Sequence, residues 1–164
     1  MEVAFLRGLT GDQAPEPLRS RARVLAPEAI VMLGMRDQQY RRETGIPTIA
    51  GRVRLLTEEK VHASPAAAGS QAARQVAAQS PGWWLHIDLD VLAGEEFRAC
   101  GAAHDPAMPG GLSWDELTAV VTSALQAGGC RGWSLGVYNP DLDPDRRSAS
   151  QVVTFLAEIL GSSP

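Results

Sequence analysis

Asp88 and Asp90 are the residues whose type and spacing most directly suggest chemistry. They sit near the end of the run Trp83-Trp84-Leu85-His86-Ile87-Asp88-Leu89-Asp90-Val91-Leu92, which reads as a core strand running into carboxylates at its C-terminal end. Side chains two apart on a strand point to the same face, so the two carboxylates are expected side by side. Ionising both in a partly buried place is costly without a cation, and Mn²⁺ or Mg²⁺, which favour carboxylate oxygens, would remove that cost. In open α/β sheets the C-terminal ends of the strands are also where ligands bind. The competing reading is a solvated strand-to-loop turn, where Asp is common.

Other residues admit a chemical reading beside a structural one. Alternation puts His86 on the face of Asp88 and Asp90, as a metal neighbour or, the more frequent case, as a packed core histidine. His104-Asp105 lies in a glycine- and alanine-rich loop and reads as structural, although a ligand contact is the alternative. Arg36-Asp37 reads as an internal salt bridge or a subunit contact. Trp83 and Trp84 straddle the two faces of the strand, so core packing is expected for both. Cys100 and Cys130 make neither a disulfide framework nor a four-cysteine zinc site, and read as reduced packing residues.

The elements that must position these groups alternate between strand and helix. Apolar residues at helical spacing mark residues 1–11, and a second short helix is expected over 17–25. The continuous apolar run Ala29-Ile30-Val31-Met32-Leu33 reads as a strand buried on both faces, stopped by Gly34. Short extended pieces are expected over 46–49 and 53–56. Ser64-Pro65 offers an N-cap and a first-turn proline for an alanine-rich helix to about Ala78. Pro109-Gly110-Gly111 reads as a tight backbone passage. Ser113-Trp114-Asp115-Glu116 is a capping box, followed by the helical stripe Trp114, Leu117, Val120, Val121 and Leu125. Residues 130–138 read as another strand. A last helix is expected from Asp143-Pro144, with the stripe Ala149, Val152, Val153, Leu156, Ile159 and Leu160. Strands and helices in alternation imply the α/β class, a mainly parallel sheet covered on both faces, in one domain over residues 1–164.

Composition narrows the function. The chain has 164 residues, 45% of them hydrophobic, enough for one domain with a core, although 24 alanines bring little apolar area each. Its 15 basic and 19 acidic side chains give a net charge of −4, which argues against a general nucleic-acid binder. No apolar run approaches the roughly 20 residues of a membrane helix, so a soluble, cytoplasmic protein without membrane or nucleic-acid partners is expected. Lys60 is the only lysine. That removes a Walker-type phosphate loop, which needs a Gly-Lys pair. It also disfavours a haloacid-dehalogenase-like phosphatase, whose Asp-x-Asp needs a downstream lysine.

Three motifs in order carry a more specific resemblance: His86-Ile87-Asp88-Leu89-Asp90-Val91-Leu92, Pro109-Gly110-Gly111-Leu112-Ser113 and Tyr138-Asn139-Pro140. With Val31-Met32-Leu33-Gly34-Met35-Arg36-Asp37 upstream, the chain resembles the C-terminal part of the arginase/agmatinase (ureohydrolase) superfamily. Its run Tyr138-Asn139-Pro140-Asp141-Leu142-Asp143-Pro144 is similar to that of actinobacterial-type members of that family. The resemblance implies a three-layer α/β/α fold lacking its N-terminal strands. It implies a manganese-dependent hydrolase of C–N bonds in linear amidines or guanidines, a small-molecule substrate and a homo-oligomer. Asp88 and Asp90 match carboxylates that help hold a binuclear Mn²⁺ centre, whose ions deprotonate a bridging water and polarise the substrate.

Two departures from the family pattern shape the expectation. The Gly-Gly-Asp-His and Asp-x-His-x-Asp motifs that supply the family's other ligands are absent, so the chain by itself is expected to be inactive. At the position of the substrate-contacting Glu stands Val137, in Gly136-Val137-Tyr138-Asn139-Pro140. Asp141, Asp143 or Asp145 could take over that contact from the next loop, or serve only as helix-start residues, which is the commoner role. The rival reading is a non-catalytic arginase-like domain for ligand binding or assembly. An in-frame Asp-x-His-x-Asp encoded upstream of Met1 would decide for the enzyme.

Overall fold

The computed structural model describes residues 3, 6–8, 15–19, 25–46, 49, 51–101 and 108–161. His104 and Asp105, most of the helix expected over 1–11 and part of the pieces expected over 17–25 and 46–49 lie outside them. The elements run α1 (Glu16–Arg19), β1 (Val31–Leu33), α2 (Gln38–Thr44), β2 (Arg54–Leu56), α3 (Glu58–Ala63), α4 (Pro65–Ala77), β3 (Trp83–Asp88), α5 (Trp114–Gln126), β4 (Cys130–Gly136) and α6 (Arg147–Gly161). Both strand pairings are parallel: β1 lies beside β2 with Met32 opposite Leu55, and β3 beside β4 with His86 opposite Ser134. The class is α/β as expected, and parallel strands joined through helices accord with the lack of any short hairpin turn between them. No helix among the described residues is long and apolar enough to cross a membrane.

The helix α5 holds the two pairs together. Ser113 Oγ accepts from the Glu116 amide at 3.2 Å while the Glu116 carboxylate accepts from the Ser113 amide at 2.8 Å, the reciprocal cap read from the sequence. Leu117 and Val121 enter a core with Ile87, Leu89, Leu92, Phe97, Phe155 and Ile159, behind β3 and β4. Val120, one step round the helix, packs instead with Leu56, Val61, Ala68, Ala72 and Leu112 against Val31 and Leu33 of β1.

The alanine richness of α4 has a structural reason. Ala68, Gly69, Ala72 and Ala73 are buried against α5, and a Cβ at Gly69 would lie 2.0 Å from the Val120 carbonyl oxygen. Small side chains let the two backbones approach to near contact, and the gain is dispersion at close range in place of bulky apolar area. Gly69→Ala therefore forces the helices apart and is expected to cost about 1–3 kcal/mol of stability, read from urea unfolding. A variant as stable as the parent would show that this close approach does not exist in solution.

Several expectations are corrected. The helix at the C-terminus starts at Arg147, not at Asp143, and its buried residues are Ser148, Phe155 and Ile159. Val153 is 65% exposed and Leu160 57% exposed, because Phe155 rather than either of them turns toward Trp114. Ser64 stands at the N-cap of α4 but its side chain makes no capping hydrogen bond. Trp84, expected in the core, is 63% exposed, while Leu85 and Ile87 face α5 and α6.

Candidate carboxylate site at the strand ends

β3 stops at Asp88, opposite Gly136 of β4. The chain then tightens into a 3-10 turn, Leu89–Val91, and Leu89 and Leu92 are both fully buried. Asp90 thus sits on that turn and not, as expected, on the strand face of Asp88: burying two leucines three apart needs a helical step, which a strand cannot supply. The carboxylates still interact. Burial pushes the pKa of Asp90 up, the charge of Asp88 adds to that, and the charge of Arg36 opposes it. A half-buried carboxylate beside a second one is electrostatically unsatisfied, and a cation is what such a pair favours.

Arg36, three residues past β1, fixes this turn in place. Its Nε donates to the Asp90 carbonyl at 2.9 Å, and its Nη1 donates to the carbonyls of Met108 at 2.8 Å and Gly110 at 2.9 Å. One planar guanidinium thereby ties the end of β1 to the end of β3 and to the glycine passage. Asp37 does not pair with Arg36 but accepts from Arg41 Nε at 2.6 Å. The passage itself is as tight as its glycines suggest: Gly111 has φ +117°, and a Cβ there would lie 2.4 Å from the Ala93 nitrogen.

His86 is not a packed core histidine. It lies exposed on the outer face of β3, with Nε2 3.1 Å from Asp88 Oδ1 and Nδ1 2.7 Å from Ser134 Oγ. Trp84 Nε1 donates to the same Ser134 oxygen at 3.1 Å. Ser134 Oγ thus stands between the Trp84 indole and the imidazole, whose other nitrogen faces one Asp88 oxygen. The indole of Trp84 covers Gly132, where a Cβ would meet the ring at 2.4 Å.

After β4 the backbone turns abruptly. Val137 takes φ +67°, a left-handed conformation that is an outlier for a β-branched residue and costs about 1–3 kcal/mol. What imposes it lies on either side: β4 pairs to Gly136, while the Asn139 amide donates to the Ala99 carbonyl at 2.7 Å and Tyr138 OH to Asp143 Oδ2 at 3.1 Å. Val137 is consequently 40% exposed at the end of the sheet where Asp88 stands. Asp141 is exposed on a 3-10 turn. Asp143 is buried, its oxygens accepting from the amides of Ser148 at 3.0 Å and Ala149 at 2.8 Å, the first turn of α6. Burial alone would raise its pKa, but these bonds outweigh burial and hold it below the usual range. Asp145 accepts from the Arg147 amide at 3.2 Å.

A second ionic group flanks the site. His62 lies between Glu116, 2.6 Å from Nδ1, and Glu58, 3.2 Å from Nε2, and Glu58 also accepts from the Gly111 amide at 2.6 Å. The hydrogen bond to Glu116, then that to Glu58, raises the His62 pKa above 6.5. A raised histidine pKa gives stability that is fully present below 6.5 and is lost as pH rises through the folded value. The imidazole is 40% exposed, so the effect is small, roughly 0.5 kcal/mol. The pH dependence of unfolding above neutrality should flatten by that amount in His62→Gln, and an unchanged slope would count against the ion pair.

Among the described residues no group of three or more His, Cys, Asp or Glu is arranged to hold a metal ion. Asp88 and Asp90 offer hard oxygen donors suited to Mn²⁺, but only part of a coordination shell. Two surface concavities of about 360 and 350 Å³ lie away from them, one beside α2 and one between α5 and α6.

The Arginase family model matches residues 13–161, and the chain belongs to that family. Among solved structures, the chain is similar to arginase from Bacillus subtilis, with TM-score 0.74 and 21% identity, covering 98% of this chain and 54% of that one. Entamoeba histolytica arginase in complex with L-ornithine matches with TM-score 0.74 and 18% identity, over 98% of this chain and 51% of that one. Formimidoylglutamase from Bacillus subtilis matches with TM-score 0.69 and 21% identity, over 87% and 44%. The chain thus spans about half the length of the structures it matches. No match was found among curated proteins.

Proposed function

We propose that these residues are part of a hydrolase that breaks C–N bonds of linear amidines or guanidines, with Asp88 and Asp90 as ligands of a Mn²⁺ centre. The observation that carries the reading is the placement of two interacting, half-buried carboxylates at the C-terminal ends of the strands of an arginase-family chain. When bound, divalent manganese supplies Lewis acidity and lowers the pKa of a coordinated water. The chain's own residues place the donors: His86 Nε2 lies 3.1 Å from one oxygen of Asp88, and Arg36 fixes the turn that carries Asp90. Other ligands come from outside the described residues.

The substrate end of the site is set by the segment after β4. Val137 presents no charge, so a guanidinium finds no carboxylate there, and arginine should be a poor substrate. Of the acidic residues in the next loop, Asp141 has an exposed side chain, whereas both oxygens of Asp143 are engaged by α6. The test is hydrolysis by the full-length protein with Mn²⁺, comparing urea release from arginine and agmatine with formamide release from formimidoyl-amino acids. Val137→Glu should improve the guanidino substrates selectively, by up to about 1.5–3 kcal/mol if a charge-assisted hydrogen bond forms. Brisk arginine turnover that ignores this substitution would show that another residue reads the substrate. No turnover of any amidine or guanidine would refute the hydrolase reading.

A further inference from the structure

The glycine passage is pinned by two side chains. Arg36 Nη1 donates to the carbonyls of Met108 and Gly110, and Glu58, the first residue of α3, takes the Gly111 amide on Oε1 at 2.6 Å. Only glycine leaves room for that carboxylate, because a Cβ at Gly110 would lie 2.5 Å from Glu58 Oε1. Directly after the passage, the Leu112 amide donates to the Val91 carbonyl and the Ala93 amide to the Leu112 carbonyl, both at 2.9 Å. The passage is thereby tied to the chain just past Asp90. Glu58 is itself held by His62, one helical turn on, whose Nε2 lies 3.2 Å from the same Oε1. The other ring nitrogen lies 2.6 Å from Glu116 Oε1, while Glu116 Oε2 accepts from the amide and hydroxyl of Ser113. An ionised carboxylate only accepts, so an imidazole between two of them must donate from both nitrogens, which requires the doubly protonated ring. Among the described residues, the charged groups facing that ring are Glu58 on its own helix and Glu116 on α5. α4, also packed on α3, carries only Arg74, in its last turn, and the passage brings no charge.

We propose that His62 is a proton-operated latch on the glycine passage: the imidazolium holds Glu58 on the Gly111 amide, and loss of its proton releases Glu58 and loosens residues 109–111. The neutral ring keeps one proton, at the shorter contact with Glu116. Nε2 then turns a lone pair toward Glu58 Oε1, attraction becomes repulsion, and the part-exposed carboxylate moves toward water. The Gly111 amide loses its acceptor. Arg36 and the Leu112 pairings remain, so the segment loosens locally and the fold persists. The charges fix the direction: order at low pH, and mobility as pH rises through the folded pKa of His62, which the bonds to Glu116 and then Glu58 raise. The latch rests on this geometry and not on metal or turnover.

Amide exchange of Gly111 between about pH 5 and pH 8, read by NMR beside the titration of the His62 ring, tests it. Each rate is taken relative to an unstructured peptide at the same pH. The protection of Gly111 should fall by about tenfold as the ring loses its proton, with one midpoint above 6.5 for both. The amides of Leu117 and Val121, inside α5, should keep theirs. His62→Gln should show the low protection at every pH, and it should fold because the imidazole is exposed. Glu58→Gln keeps an acceptor for Gly111 but removes the charge, so it should abolish the pH step and lower the His62 midpoint. Gly111 protection that stays constant through the His62 titration, a step that persists in His62→Gln, or a His62 midpoint unmoved by Glu58→Gln would each overturn the latch.

Discussion

Asp88→Asn and Asp90→Asn should each lower the affinity of the protein for Mn²⁺ by at least about tenfold, or 1.4 kcal/mol, in titrations followed by electron paramagnetic resonance. Each change removes one of two full charges that offset the cation while leaving the side-chain size almost unchanged. Their effects on the metal-free protein should differ. Asp90 has its pKa raised by burial and then by Asp88, so stability falls as pH rises from 3.8 through its folded value. Asp90→Asn escapes that loss and should melt higher than the parent at neutral pH. Asp88→Asn alters the 3.1 Å approach to His86 Nε2 and gains less. Two variants that bind Mn²⁺ as well as the parent would remove these residues from the metal site.

Arg36→Met should cost about 3 kcal/mol in urea unfolding and should also weaken Mn²⁺ binding. The guanidinium makes three hydrogen bonds to carbonyls of residues 54 to 74 positions away, and those to Asp90 and Met108 are part-buried. Hydrogen bonds from a charged donor are worth about 1.5–3 kcal/mol each, and the carbonyls left behind lose their partner. Arg36→Lys should recover little, because one ammonium cannot serve acceptors placed for both Nε and Nη1. A loss well under 1 kcal/mol in Arg36→Met would mean that water replaces the guanidinium without penalty.

Much of the fold was legible where a local signal and the tertiary structure agree. The Ser113–Glu116 capping box fixes the start of α5 in both. The glycines at 110 and 111 mark a passage that tolerates no side chain. The apolar runs become β1, β3 and β4, and all their pairings are parallel. The misplacement of Trp84 and His86 has one physical source. A parallel strand is ordinarily covered on both faces, and that rule placed both residues in a core. In this chain α5 and α6 cover the Leu85 and Ile87 face, while the face of Trp84 and His86 is exposed. Long-range roles were not legible at all. Nothing local marks Arg36 as the clamp on Asp90, Gly69 as a helix contact, or Val137 as left-handed, because each depends on a segment far away in the sequence.

The purely parallel pairing has a consequence for how the chain reaches this structure. Neither strand pair can zip up from a turn; each forms only after an intervening helical segment has brought its ends together. The loop-closure entropy must be met before any ladder bond rewards it, so folding should be slow for a domain of this size. During that delay the strands Val31–Leu33 and Trp83–Asp88 are unpaired, apolar and available to other chains. The local signals in α5 then matter kinetically. A helix that starts early at Ser113 presents Val120 to one strand pair and Leu117 and Val121 to the other, giving both a surface on which to condense.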